Sequence, residues 1–260
     1  MLPPAVAVDL DGVVWRAATP IPGAADAIVR LRAVGVDVVF VTNNAYPTLA
    51  GHEAKLAAAG IDAAGAVISS PMGAAALLRP GERVLVAGGA GVLEAVGAAG
   101  AEAVTYDEAD APGAAPVETV VVGFHQDFDY AKMRIASTAV RRGARLVATN
   151  DDATYPTERG EVPGNGSILA GIATAGGVAP IIAGKPHEPI ATVVRDRCGP
   201  TGMVIGDRVE TDGLFAVALG WDFGLVLSGV TTAADLPVVP TPALVADDLA
   251  GLVDQLLVAR

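Results

Sequence analysis

Short β-branched runs alternate with Ala-rich stretches of helical period along most of this chain. Residues 5–8 are apolar throughout and stop at Asp9. Residues 23–34 set Ala27, Leu31 and Val34 on one face and stop at Gly35, which predicts a helix. Residues 37–41 form the next predicted strand, ending at Thr42-Asn43-Asn44, and a helix over 48–58 closes at Gly60. The alternation returns near the end: a helix over 190–197, a strand over 203–205 ending at Gly206-Asp207, and a strand over 225–227 ending at Ser228-Gly229. Strands that alternate with helices pair in parallel through right-handed crossovers. Such sheets take ligands at the carboxyl ends of their strands, where these polar residues sit. The predicted fold class is α/β, with a doubly wound parallel sheet.

The middle of the chain has a βα rhythm of its own. Predicted strands at 84–87, 119–123 and 145–148 accompany a helix over 130–142, and Gly and Pro cluster at 160–166. The first and last thirds complete one candidate site without this middle. Residues 1–81 and 180–260 are therefore read as a core domain and 82–179 as an inserted α/β cap.

Composition narrows the partners. Of 260 residues, 52% are hydrophobic, enough for a large core, yet no apolar run reaches the ~18 residues of a membrane span. The N-terminus has no basic stretch and no cleavage site, so no signal peptide is expected. The single cysteine, Cys198, excludes a disulfide framework and a cysteine-ligated zinc site, and is read as a small buried hydrophobe. A cytoplasmic location is the expectation. A net charge of −12 argues against nucleic acid or an anionic membrane as partner. It leaves room for an anionic small molecule, because a bound metal and one or two local cations can hold phosphate in an acidic protein.

Four strand ends carry candidate chemistry. Asp9-Leu10-Asp11-Gly12 follows the first strand. Alone, such a pair is equally a turn using its own carboxylates. Two carboxylates this close repel unless a cation or a proton intervenes, which suits one as nucleophile and the other as general acid/base. Thr42-Asn43-Asn44 offers a hydroxyl and main-chain N–H groups to phosphate oxygens, or simply caps a helix. Ala183-Gly184-Lys185-Pro186 puts a lysine, a point cation, in an apolar stretch. Gly206-Asp207 follows another strand, with Asp212 five residues on. Carboxylate oxygens suit Mg²⁺, with Asp207 a direct ligand and Asp212 orienting a bound water.

This ordered set resembles the haloacid dehalogenase (HAD) superfamily, whose four motifs match Asp9/Asp11, Thr42, Lys185 and Asp207/Asp212. The second aspartate makes it similar to the phosphatase branches, and the long insert to the C2-capped, NagD-like group. Residues 148–167 are similar to that group's cap signature, with Asp151 where a proline is common; after Asp212 the chain reads Gly213-Leu214-Phe215-Ala216. The resemblance implies a Rossmann-like core and a Mg²⁺-dependent phosphatase acting on a small-molecule phosphomonoester. In that mechanism Asp9 forms an aspartyl-phosphate while Asp11 protonates the leaving group and later activates water. Asp9, Asp207 and the main-chain carbonyl of Asp11 hold the metal. Thr42, the Asn43 N–H and Lys185 hold the phosphoryl oxygens. Asn150, Asp152, Glu158 and Arg159 are the candidates to line the cap side. The cap wording leans toward glycerol 3-phosphate, with phosphoglycolate, nucleotide monophosphates and aryl phosphates such as p-nitrophenyl phosphate open. Caps of this type often pair, which implies a homodimer.

Other readings fit some of the same residues. The same machinery could transfer phosphate to an acceptor as a phosphotransferase or phosphomutase, or persist as a binding protein, although the latter should have lost Asp9, Asp11 or Asp207. Residues 84–94 read as strand, Gly-rich turn and helix like a dinucleotide fingerprint, but Glu94 stands where the third glycine belongs, so a tight turn is expected. Lys185 is followed by Pro186, so no Walker sequence exists. His52, His125 and His187 are too far apart in sequence to suggest a metal cluster, and Trp15 and Trp221 are read as packing residues.

Overall fold

The structure is a computed structural model and describes residues 2–157 and 160–258. The chain forms two compact units, one of residues 1–42, 50–68 and 185–260, the other of 43–49 and 69–184.

The first unit is built on a six-stranded sheet. Its strands run, in spatial order, Leu244–Ala246, Asp222–Val226, Met203–Gly206, Ala5–Val8, Asp37–Thr42 and Val67–Ser69. The pairings from Leu244–Ala246 through to Asp37–Thr42 are all parallel. All four residues of Ala5–Val8 are buried, as a central parallel strand covered on both faces requires. Helices Ala24–Ala33, Glu188–Cys198, Leu214–Leu219 and Leu249–Val258 bury Ile28, Leu31, Ile190, Phe215 and Leu249. Register positions the chemistry: Val8 lies opposite Phe40 on one side and Ile205 on the other. Asp9, Thr42 and Asp207 therefore emerge together at the carboxyl edge of three adjacent strands.

Val67–Ser69, Leu244–Ala246 and, in the second unit, Glu102–Val104 and Ile181–Ile182 were not expected as strands, and one expected strand starts elsewhere. It runs Asp222–Val226, not 225–227. Asp and Gly disfavour strands, so the apolar pattern hid its start. Gly224 belongs there because Leu252 packs onto it: an added Cβ would lie 2.9 Å from Leu252 Cδ1.

The second unit has a five-stranded parallel sheet in the order Ile181–Ile182, Arg145–Ala148, Thr119–Val122, Arg83–Ala87, Glu102–Val104. Alternation splits its core into two layers. Val120 and Val122 face Leu85, Leu146, Ile168 and Ile172. Val121 faces Val84, Val92, Val96 and Val147. Besides 82–179, this unit includes 69–81, whose helix Ser70–Ala75 packs on helix Ala90–Ala98, and the strand Ile181–Ile182 paired to Arg145–Ala148. The Gly/Pro cluster at 160–166 resolves into two elements. Gly160–Pro163 pairs antiparallel with Thr154–Thr157, and helix Asn165–Gly176 starts directly after.

Candidate active site

The site in the first unit is assembled around Lys185. Its ammonium donates to Asp9 Oδ1 and to Asp212 Oδ1, each at 2.6 Å. Lysine and Asp212 are buried, and Asp9 nearly so. Asp9 is fixed by its own N–H, which donates to the Ile205 carbonyl at 2.9 Å and extends the strand ladder one residue. Asp212 sits on a five-residue π-helical turn, Val209–Gly213, that follows the strand carrying Asp207. The Arg208 N–H donates to Asp212 Oδ2 at 3.2 Å.

Asp207 is held from the opposite side. The Val230 N–H donates to its Oδ2 at 2.6 Å, and the Thr231 N–H donates to its carbonyl at 3.1 Å. Two glycines make room for this carboxylate. Gly12 adopts φ +87°, and a Cβ there would meet Asp207 Oδ2 at 2.5 Å; Gly229 packs against the same group. Gly12 thus serves both the left-handed turn and the close approach of Asp207.

Among the described residues, Asp9, Asp207 and Asp212 form a group whose carboxylate oxygens lie within 4.8 Å of one another. Three carboxylates against one lysine leave excess negative charge. Burial pushes the Asp9 carboxyl well above the usual carboxylate range; Asp212, Asp207 and Asp11 push it the same way, and Lys185 pulls it back. Asp207 rises to about 6, by burial first and then by Asp212, against the Val230 N–H, Arg208 and Lys185. Burial by itself would lower Lys185, but Asp212 and Asp9 outweigh it and hold the ammonium charged. Crowded hard oxygen donors with uncompensated charge fit a divalent cation such as Mg²⁺.

Asp11 is not part of that carboxylate group. Its Oδ1 accepts from the Trp15 indole N–H at 2.9 Å, and Lys55 Nζ lies 3.9 Å over the Trp15 ring. Sequence reading treated Trp15 as packing and did not single out Lys55. Thr42 is buried at the end of its strand.

In the second unit, the expected cap residues gather on the turn that begins at Asn43. Asn150 is buried and donates from Nδ2 to the Asn43 carbonyl at 2.8 Å, which also accepts from Ser70 Oγ at 2.9 Å. Asn43 Nδ2 donates to Asp152 Oδ2 at 3.3 Å. Asn165, also buried, donates to the Asn150 carbonyl at 2.6 Å. Ser70 and Asn165 were not anticipated: both are common turn and cap residues whose partners lie far away in sequence. Glu158 and Arg159 lie outside the described residues.

The Gly-rich turn at 88–91 is a tight turn. The Gly91 N–H donates to the Tyr46 carbonyl at 3.1 Å, Glu94 accepts from the Leu49 N–H at 2.7 Å, and a Cβ on Gly91 would lie 2.7 Å from the Ala45 carbonyl oxygen. The chain itself covers the helix start that a dinucleotide would need. His125 is bonded locally, to the Gly123 carbonyl and the Tyr106 hydroxyl. Trp221 packs over Gly202, its indole N–H buried without a partner.

Fold and site together define a doubly wound α/β protein whose strand ends gather three carboxylates around a buried lysine. The chain belongs to the haloacid dehalogenase-like hydrolases. That family matches residues 6–102, and a second HAD-hydrolase-like family matches residues 182–252. The chain is 37% identical to D-glycerol 3-phosphate phosphatase of Mycobacterium tuberculosis, over 88% of its own length and 64% of that protein's. Against human chronophin the identity is 36%, covering 87% of this chain and 81% of chronophin. The crystal structure of the M. tuberculosis glycerol phosphate phosphatase with magnesium superposes with a TM-score of 0.86 at 34% identity, covering 96% of this chain and 76% of that one.

Proposed function

We propose that this protein is a Mg²⁺-dependent phosphatase that hydrolyses a small-molecule phosphomonoester through Asp9. The observation that carries the reading is the buried Lys185 bridging Asp9 and Asp212, with an Asp207 oxygen within 4.8 Å of theirs. The named activities of the relatives support the reaction class.

An Asp9 oxygen attacks phosphorus in line as the ester P–O bond breaks. The electron pair of that bond stays on the ester oxygen, which takes a proton from Asp11 and leaves as the alcohol. Asp11, now a carboxylate, removes a proton from water; the resulting hydroxide attacks phosphorus, frees inorganic phosphate and restores Asp9. Lys185 keeps Asp9 oriented and offsets phosphoryl charge, and Thr42 offers its hydroxyl to a phosphoryl oxygen. The Asn43 N–H, next along the chain, is assigned the same task. Asp9, Asp207 and the Asp11 carbonyl would hold a magnesium ion, with Asp212 acting through a water, and the bound ion would supply charge neutralisation between nucleophile and phosphoryl group.

Asn150, Asp152, Glu158 and Arg159 are assigned to substrate choice by the inserted unit, and Asn150 and Asp152 also bond to the Asn43 turn. Glycerol 3-phosphate is the proposed substrate, from the sequence of the hairpin region and the name of the mycobacterial relative. A cytoplasmic location and a homodimer through the inserted unit complete the reading. No helix among the described residues is long and apolar enough to cross a membrane.

The test is phosphate release from a panel of phosphomonoesters, with Mg²⁺ and with EDTA, for wild type and Asp9→Asn. Metal-dependent release that disappears in Asp9→Asn, with the thermal midpoint nearly unchanged, is expected. No release from any ester by folded, Mg²⁺-binding protein would sink the hydrolase reading.

A further inference from the structure

The loop after Asp9 closes on itself. The Gly12 N–H donates to the Trp15 carbonyl at 2.7 Å, and the Val14 and Trp15 N–H groups donate to the Leu10 carbonyl at 2.9 and 3.3 Å. These bonds tie the Trp15 main chain back onto the strand end and place its side chain, 2% exposed, over Asp11. A buried indole usually finds a partner for its single N–H. Here that partner is Asp11 Oδ1 at 2.9 Å. Pairing is not automatic in this protein, since the buried Trp221 N–H has none. On the outer side of the ring, the Lys55 ammonium at 3.9 Å from the centroid pins the indole through a cation–π contact.

We propose that Trp15 is a positioning residue for the general acid, locking the Asp11 carboxyl so that its Oδ2 alone carries and delivers the proton, with Lys55 holding the indole in place. The inference rests on the phosphatase reading above. An indole N–H can only donate. It therefore disfavours a proton on Oδ1 and sends it to Oδ2, and it removes the rotation that would exchange the two oxygens. The proton then passes from Oδ2 to the ester oxygen as the P–O bond breaks. The same oxygen takes a proton from the attacking water in the second half of the cycle.

The readout that separates positioning from general support is the leaving group. A phenolate such as p-nitrophenolate departs with little need of a proton, whereas an alkoxide requires one. The parameter kcat/KM reports the first chemical half-reaction, in which only the acid function of Asp11 is used. Trp15→Phe keeps an aromatic ring at the position and removes the indole N–H along with some packing, so the effect is read from the ratio between the two esters. General acid catalysis contributes ~100- to 10,000-fold, and a misaimed carboxyl loses part of it. The variant is expected to lower kcat/KM for glycerol 3-phosphate about 10-fold or more, and that for p-nitrophenyl phosphate less than about 2-fold. The thermal midpoint is measured alongside. Equal losses on both esters, or none on either, would overturn the proposal. If Trp15→Phe does not fold, Lys55→Met, at an exposed position, is measured instead. A smaller but equally selective loss on the alkyl ester supports the proposal, and an unselective or absent loss overturns it. Absence of phosphate release by wild type from either ester is a separate outcome, failure of the phosphatase reading itself.

Discussion

Lys185 shows how one side chain decides whether the site can exist. Its ammonium is the buried cation between Asp9 and Asp212. Breaking a buried ion pair by removing one partner costs about 3–5 kcal/mol, because the abandoned charges stay desolvated. Lys185→Met should lower the unfolding free energy read from urea titration by about that much and abolish turnover at saturating Mg²⁺; a stable, active Lys185→Met would refute the bridging role. The identity of Lys185 could be read from sequence, since a lysine in an apolar stretch between Gly184 and Pro186 is conspicuous. Its bond to Asp212 could not. That contact needs the π-helical turn Val209–Gly213, which no periodicity announces. Trp15 is the converse case: its position was plain, but the direction of an indole N–H is set by how the 10–15 loop closes.

At the scale of elements, the second unit's sheet starts from a buried anion. Glu82 precedes strand Arg83–Ala87 and accepts from Thr119 Oγ1 at 2.5 Å, Arg145 Nη2 at 2.6 Å and the Arg79 N–H at 2.9 Å. Burial alone would raise its carboxyl, but the Thr119 and Arg145 bonds, the Arg79 N–H and the Arg145 charge together bring it down to about 2. A depressed folded-state value stabilises above the unfolded value of 4.5, and that contribution is lost as pH falls toward about 2. Urea midpoints of wild type should therefore fall between pH 4.5 and 2 more steeply than those of Glu82→Gln. Parallel curves would contradict the assignment. Most strands were legible as apolar runs because parallel strands are buried on both faces. Asp222–Val226 was partly hidden, since a glycine that packs under Leu252 reads as a break.

For the whole molecule, cation binding should appear as stability. A ligand that binds only the folded state stabilises by about 2.7 kcal/mol at one hundred times its Kd. In a chain of 260 residues that is a rise of a few degrees. Mg²⁺ is expected to raise the thermal midpoint relative to EDTA, and Asp207→Asn to lose most of that rise; an equal rise in both would place the ion elsewhere.

The sequence by itself determined the class of the fold, the order of the chemical groups and their place at strand ends. Alternating period, strand-end position and residue type are all local properties of a chain. The tertiary structure decided which oxygens meet. It gathered Asp9, Asp207 and Asp212 around Lys185 and turned Asp11 toward Trp15. It also fastened Asn150 and Ser70 to the Asn43 carbonyl. Apart from Asp11 and Trp15, four residues apart on one loop, those pairings join residues tens to hundreds of positions apart, and only strand register and loop closure bring them within hydrogen-bonding reach.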